Sequence, residues 1–397
     1  MNADILKIIG RTDYLFEEDL LKRKAEILDK TYKKKFLVVG GGGTIGQAVV
    51  KEIIKTHADC VHVVDISENN LVELVRDVRS SPYDFHADLK TFAIDIGSQE
   101  FSAYISQQNA YDFILNLSAL KHVRSERDPY TLSRLIDVNI FNSILLASSA
   151  REMGSEKYFC VSTDKAANPV NIMGASKRMM ELFLFRDSEN QNISTARFAN
   201  VAFSDGSLLA GFRERLNKQQ PIAVPKDIRR YFVTPQEAGE LCLLSCLFGE
   251  NRDIFFPKKN ESFKDETLVA VATRYLEGLG FEVSECESED EARKKAPELI
   301  RQKKWPCYFF DSDTTGEKPF EEFFAQGEII DFERFKAIGV VKNYLSQSLP
   351  DLNDFVSDID KWRQNSIWSK TDLIEIFQSH LPELRHFEKN KDLDQKM

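Results

Sequence analysis

An apolar run, Phe36-Leu37-Val38-Val39, leads straight into Gly40-Gly41-Gly42-Gly43-Thr44-Ile45-Gly46, and a helical pattern from Gln47 to Lys55 opens at once behind it. No other feature of the chain constrains its fold as tightly. A strand, a glycine turn and a helix in that order make the first unit of a dinucleotide-binding sheet. Glycines at 40, 43 and 46 leave room for the tight turn, for a pyrophosphate against backbone, and for close packing of helix on strand. Taken alone, such a glycine pattern is weak. It is answered by Asp65, 19 residues after Gly46 at the end of a second apolar run, Val61-His62-Val63-Val64. A carboxylate there accepts hydrogen bonds from the adenosine ribose hydroxyls and repels a 2'-phosphate, so NAD is favoured over NADP. The bland alternative for Asp65 is a helix cap. Asp95-Ile96 closes a third run and either flanks adenine or caps a helix. Thr44, Ile45 and Ile66 complete this set of candidate cofactor residues.

The alternation continues through Phe113-Ile114-Leu115-Asn116-Leu117, a long helical stretch, and Lys157-Tyr158-Phe159-Cys160-Val161-Ser162. Strands alternating with helices predict an α/β fold, a Rossmann-type doubly wound parallel sheet whose ligands lie beyond the carboxyl ends of its strands. We expect a helical arm over 1–35, an NAD-binding domain over 36–190, mostly a smaller substrate-binding lobe with late sheet elements over 191–345, and a helical tail over 346–397. The arm is a packed extension or an oligomer contact. The charged stretch from Glu282 to Lys304 reads as a solvated strand and helix, and Trp362 and Trp368 in the tail as packing anchors.

With 397 residues, 42% of them hydrophobic, a sizeable core is available, and the net charge of -10 argues against nucleic-acid binding. No run approaches the roughly 18 apolar residues of a membrane helix, and the N-terminus lacks a secretory pattern, so we expect a cytoplasmic protein without membrane insertion. Six scattered cysteines suit reduced core positions, and Cys242 and Cys246 lack the partners of a metal site. We expect no metal.

The glycine spacing resembles that of the extended short-chain dehydrogenase/reductase superfamily. Asn116-Leu117-Ser118-Ala119 and Asn139 match it in order, which implies that Leu117, Ser118 and Ala119 line the nicotinamide ribose and that Asn139 holds local structure and water; otherwise these are a strand end and a core polar residue. Such enzymes pair Ser or Thr with a Tyr and a Lys four residues on, the Lys lowering the Tyr pKa. Here Thr163 and Lys177 stand in place, but Met173 occupies the tyrosine position, and Met carries no proton.

The run from Val161 to Arg178, Val-Ser-Thr-Asp-Lys-Ala-Ala-Asn-Pro-Val-Asn-Ile-Met-Gly-Ala-Ser-Lys-Arg, resembles the polysaccharide-biosynthesis family of UDP-N-acetylglucosamine 4,6-dehydratases, in the branch with Met for Tyr. Lys121-His122-Val123, Arg197 to Val201, Arg230 to Thr234 and Gly316 to Glu322 extend the likeness over about residues 36 to 340. Thr314-Thr315 depart from the family's usual Arg-Pro. The resemblance implies NAD as cofactor, a UDP-sugar as partner, and an oligomer. It also implies substrate contacts from Lys121, His122, Asn200, Arg230, Glu317 and Lys318, with Arg230 and Lys318 at the diphosphate unless they form surface ion pairs.

A 4,6-dehydration takes hydride from C4, removes the newly acidic C5 proton, expels the C6 hydroxyl and returns hydride to C6. It requires a base at C5 and an acid at O6. Asp164 as the acid and Lys165 as the base fit that need, Lys165 provided that burial or Lys177 lowers its pKa from about 10.4 towards neutrality. Thr163 would bond O4, Lys177 the nicotinamide ribose, and Asp164 or a water would take the O4 proton. The resemblance to the branch with Met in place of Tyr implies a product that keeps its C5 configuration. A nucleotide-sugar 4-epimerase and an inactive NAD-binding scaffold are the competing readings.

Overall fold

Short runs of valine, isoleucine and phenylalanine bury themselves on both faces of one large sheet. The computed structural model describes residues 5–82, 87–260, 263–312, 318, 320–343 and 352–386. Six parallel strands, β1 (Lys35–Val39), β2 (Cys60–Asp65), β3 (Asp88–Ala93), β4 (Phe113–Asn116), β5 (Lys157–Thr163) and β6 (Ile193–Phe198), lie in the order β3-β2-β1-β4-β5-β6. The register is close: Val39 stands opposite Val64 on one side and Asn116 on the other. The order reverses between β1 and β4, and a ligand crevice opens at such a switch point, beyond the carboxyl ends of the strands. The fold is the doubly wound α/β sheet that the alternation implied.

The sheet is larger and less uniformly parallel than expected. Asp253–Pro257 adds parallel to β6, and Ile338–Lys342 and Ile329–Asp331 follow antiparallel, for nine strands among the described residues. The two antiparallel strands lie within 191–345, where late sheet elements were expected, but the sequence does not show that they run antiparallel.

Between these late strands the chain builds a lobe. Ile222–Pro225, Lys304–Phe310 and Glu282–Cys286 form a small parallel sheet, covered by the helices Leu208–Asn217, Leu268–Gly278 and Glu289–Arg301 around Phe212, Val271, Leu276 and Trp305. The charged stretch is indeed a partly solvated strand and helix. Two short pairings, Asn200–Val201 with Phe232–Val233 and Arg229–Arg230 with Glu266–Thr267, shape the ground between sheet and lobe.

The N-terminal arm packs on its own chain. Its first turn, Ile5–Ile8, enters the lobe core, while Phe16 and Ile27 join the core of the main sheet. Arg11 forks onto the buried Glu237 at 2.8 and 2.5 Å. Glu237 closes a capping box with Thr234 and accepts from Leu15 N, so one carboxylate ties the arm to the helix Pro235–Phe248. At the other end, the helices Asn353–Gln364 and Lys370–His380 cover the faces of Pro129–Ile136 and Ile172–Arg186, with Trp362 buried and 4.9 Å from Trp368. All six cysteines are unpaired and buried. Among the described residues, no helix is long and apolar enough to cross a membrane and no acidic, His or Cys cluster could hold a metal ion.

Candidate active site

The glycine turn sits at the switch point, and each of its glycines answers a different demand. Gly40 has φ +76°, and a Cβ there would lie 2.5 Å from Ser118 N; one on Gly46 would lie 2.2 Å from Gly40 O. These two are required by the protein's own packing. Gly43 is different, because a Cβ there would meet only Gly40 O, at an ordinary 3.7 Å. The fold itself leaves the space beside it open. Gly43 is also the N-cap of the helix Thr44–Ile54 and brings no side-chain cap, which leaves the first helical N–H groups to an anion. Asp65 accepts from Gly42 N and Ser67 N, both at 2.9 Å, and so braces the turn while standing at the strand end where a ribose would lie. The glycine room, the uncapped helix and this carboxylate together fit a dinucleotide.

The remaining candidate cofactor residues fall around the same crevice. Ile66 is exposed beside Asp65, whereas Ile96 and Leu117 are buried. Asp95 accepts from Gly97 N at 2.9 Å and pairs with Arg134 at 2.6 Å, while the cap of the following helix is Ser98. Ser118 closes onto Asn116 Oδ1 at 2.6 Å, and Ala119 follows it, half-buried. Asn139, wholly buried in a π-type turn, accepts from Leu120 N, donates to Leu120 O and to Ser176 Oγ, and thereby fastens that loop to the helix Ile172–Arg186.

At the end of β5 the backbone breaks into a 3-10 turn over Asp164–Ala166, which packs on the start of the helix Ile172–Arg186. Gly174 permits that contact: a Cβ there would lie 2.5 Å from Lys165 O. Met173 is thereby held next to the Thr163-Asp164-Lys165 turn, its N–H donating 3.0 Å to Glu126 Oε1. Lys177, one turn on, is buried and donates to Val161 O at 3.1 Å, so it is no surface residue, and burial pushes its ammonium below its ordinary value. Asp164 is also buried. Its Oδ1 accepts from Thr163 Oγ1 at 2.9 Å and from Lys165 Nζ at 3.1 Å.

To act as the base, Lys165 needs a pKa lowered through burial or through Lys177, and the resting site does not meet that condition. Burial does act in that direction, but the carboxylates of Asp164 and Glu321 outweigh it and hold the ammonium above its ordinary value. Glu321 Oε1 lies 3.3 Å from Lys165 Nζ. The sequence shows two lysines near each other in number; it does not show that Lys177 turns away to Val161, or that a carboxylate arrives from the far end of the chain.

Arg230, largely buried, donates from Nη1 to Arg229 O and Lys318 O, both at 2.8 Å, and its Nη2 stands 4.0 Å from Glu321. Lys318 Nζ bonds Asn168 O, and Asn200 reaches Tyr231 O at 3.4 Å. Lys121 and His122 are exposed, and a Cβ on Gly206, φ +70°, would lie 2.8 Å from the His122 ring. Glu317 lies outside the described residues. Three residues not singled out from the sequence join the site: Glu321, Glu126 under Met173, and Asp205, whose Oδ2 takes the Thr44 hydroxyl at 3.0 Å beside the uncapped helix. Glu321 was visible only as part of the run ending in Glu322, and Asp205 only as a turn residue.

The model of the family described as "Polysaccharide biosynthesis protein" matches residues 36–343. The chain belongs to this family. Among curated relatives in comparison, an uncharacterized membrane protein of Methanocaldococcus jannaschii is 27% identical over 79% of this chain and 87% of its own length. The capsular polysaccharide biosynthesis protein CapD of Staphylococcus aureus is 27% identical over 71% of this chain, which spans only 47% of that relative. A UDP-N-acetylglucosamine 4,6-dehydratase (inverting) of Campylobacter jejuni is 26% identical over 57% of this chain and 67% of its own length. Among solved structures, Pen from Bacillus thuringiensis superposes with TM-score 0.62 at 19% identity, covering 80% of this chain and 89% of that one. A UDP-glucuronic acid 4-epimerase mutant from Bacillus cereus, in complex with a UDP-sugar and NAD, gives 0.54 at 14% identity over 74% and 90%. At these identities the structures establish the shared fold.

Proposed function

We propose that this member of the polysaccharide biosynthesis family is an NAD-dependent nucleotide-sugar 4,6-dehydratase acting on UDP-N-acetylglucosamine or a close relative in the cytoplasm, with the C5 configuration retained. The observation that carries the reading is the arrangement at the end of β5. Thr163, Asp164 and Lys165 share one turn at the switch-point crevice, with Met173 held against that turn and Lys177 buried behind it. An oxidoreductase that only interconverts an alcohol and a ketone needs a single proton-transferring group there. This turn supplies two of opposite charge, which suits an elimination.

Gly40, Gly43, Gly46, Asp65 and Lys177 would hold the cofactor. When bound, it supplies reversible hydride acceptance at C4 and donation at C6. The chain's own residues do the proton work. Thr163 hydrogen-bonds O4 and passes its proton to Asp164, 2.9 Å away. Asp164 returns that proton to O6 as the C6–O6 bond breaks and water leaves. Lys165, as the neutral amine, removes the C5 proton, and its ammonium, whose protons exchange with solvent, later returns one to the same face, which accounts for retention. Every proton taken is thus returned, and the net change is loss of one water. The two named enzyme relatives, a dehydratase and an epimerase, bracket this chemistry; the Asp164–Lys165 pair favours the first.

Turnover of a small panel of UDP-sugars, read by product mass, tests the reading. A product lighter by one water supports it. An isomer of unchanged mass would establish the epimerase instead.

A further inference from the structure

The reading above requires a neutral amine on Lys165, whereas the resting site holds an ammonium between two carboxylates, 3.1 Å from Asp164 and 3.3 Å from Glu321. Some group must take that proton before Lys165 can act. Asp164 is already committed, since its Oδ1 receives both the Thr163 hydroxyl and the Lys165 ammonium. Glu321 is not. It is only 2% exposed, and its Oε2 is a buried oxygen with no hydrogen-bond partner.

We propose that Glu321 is the proton acceptor for Lys165: its carboxylate holds the Nζ beside Asp164 at rest and takes the ammonium proton once substrate has closed the crevice. The proposal rests on the dehydratase reading and deepens it. In the step, an Nζ–H bond breaks and a carboxyl O–H bond forms, the electron pair staying on nitrogen. An ion pair becomes a neutral pair, and no other reactant is consumed.

The driving force is desolvation. Excluding water penalises two buried charges far more than an amine beside a carboxylic acid. The groups facing Glu321 set the balance. Lys165 from the β5 turn, Arg230 from its short strand and Lys318 from the preceding segment stabilise the charged form, while Asp164 opposes it; burial dominates, and the carboxyl is pushed above its ordinary value. Glu321 reaches the substrate only through Lys165 and is therefore a positioning residue.

Turnover of UDP-N-acetylglucosamine against pH decides the matter. Wild-type kcat should stay flat between about pH 6.5 and 9, because the proton passes inside the site rather than to water. Glu321→Gln should keep bound cofactor and still form reduced nicotinamide on adding substrate. Its turnover near neutrality should fall about a hundredfold and then climb about tenfold per pH unit, as hydroxide replaces the lost acceptor. Glu321→Asp should restore the flat profile at reduced rate.

Glu321→Gln activity within a few-fold of wild type, or a loss that is equal at every pH, overturns the proposal. A wild-type profile that itself climbs tenfold per unit does so too, and that result stands even if the Gln variant fails to fold. A wild type that yields only an isomer of the substrate overturns the dehydratase reading and the role of Glu321 with it.

Discussion

At the scale of single residues, the account separates the lysines of the site by the partners each one keeps. Lys177 is buried against Val161 O, and Lys165 faces the carboxylates of Asp164 and Glu321. Lys165→Ala should therefore retain NAD and still reduce it on adding substrate, but lose about a hundredfold to ten-thousandfold in product formation, as expected for loss of a general base. Lys177→Ala should suppress even the first reduction. Absorbance of the reduced nicotinamide distinguishes them, and equal loss of that signal in both variants would assign Lys165 to the C4 oxidation. A second residue reports on stability. Glu240 is buried beside Gln236 with Oε2 unpartnered, and burial raises its carboxyl to about 7. The folded protein thus binds more protons here than the unfolded chain between the ordinary carboxylate value and about 7. This contribution is fully present at acidic pH and is lost as pH rises through that window. Glu240→Gln should match wild type in thermal unfolding near pH 4 and exceed it near pH 8, by up to roughly 3 kcal/mol. A constant difference across that range would show that Glu240 does not titrate in it.

At the scale of elements, the sequence exposes what is local and hides what depends on return of the chain. The strand, glycine turn and helix from Lys35 to Ile54 were readable because periodicity and glycine spacing are set within some twenty residues. The β5 turn and the start of the helix Ile172–Arg186 were readable for the same reason. Gly174 against Lys165 O shows how short a contact holds them. Glu321, 156 positions after Lys165, was not readable as its partner, because the intervening chain first builds the lobe. That the late strands expected over 191–345 run antiparallel at the edge of the sheet was not readable for the same reason. Gly46 allows a direct test of the turn. A Cβ 2.2 Å from Gly40 O must displace backbone, and overpacking of this kind costs typically about 1–3 kcal/mol. Gly46→Ala should lower the melting temperature and release NAD on purification. Gly43→Ala meets no such clash inside the protein and should keep the melting temperature of the cofactor-free form while weakening NAD, as measured by nucleotide content and unfolding side by side.

At the scale of the whole molecule, extensions at both ends brace the parts that carry chemistry. The arm crosses from lobe to sheet through Arg11 and Glu237, and the tail covers the helix that bears Met173 and Lys177. The tail also reaches the site's underside, where His386 lies 3.4 Å from Glu126, the residue that holds Met173 N. These contacts tie the extensions to sheet and lobe, and the reaction proposed above is an elimination at C5 and C6 without net redox change. Proton NMR of UDP-N-acetylglucosamine turned over in D2O tests it most directly. The account predicts a 4-keto-6-deoxy sugar with a C6 methyl group, deuterium at C5 and ring couplings of the retained configuration. A product that keeps its C6 hydroxyl and its original C5 proton, inverted only at C4, would contradict it.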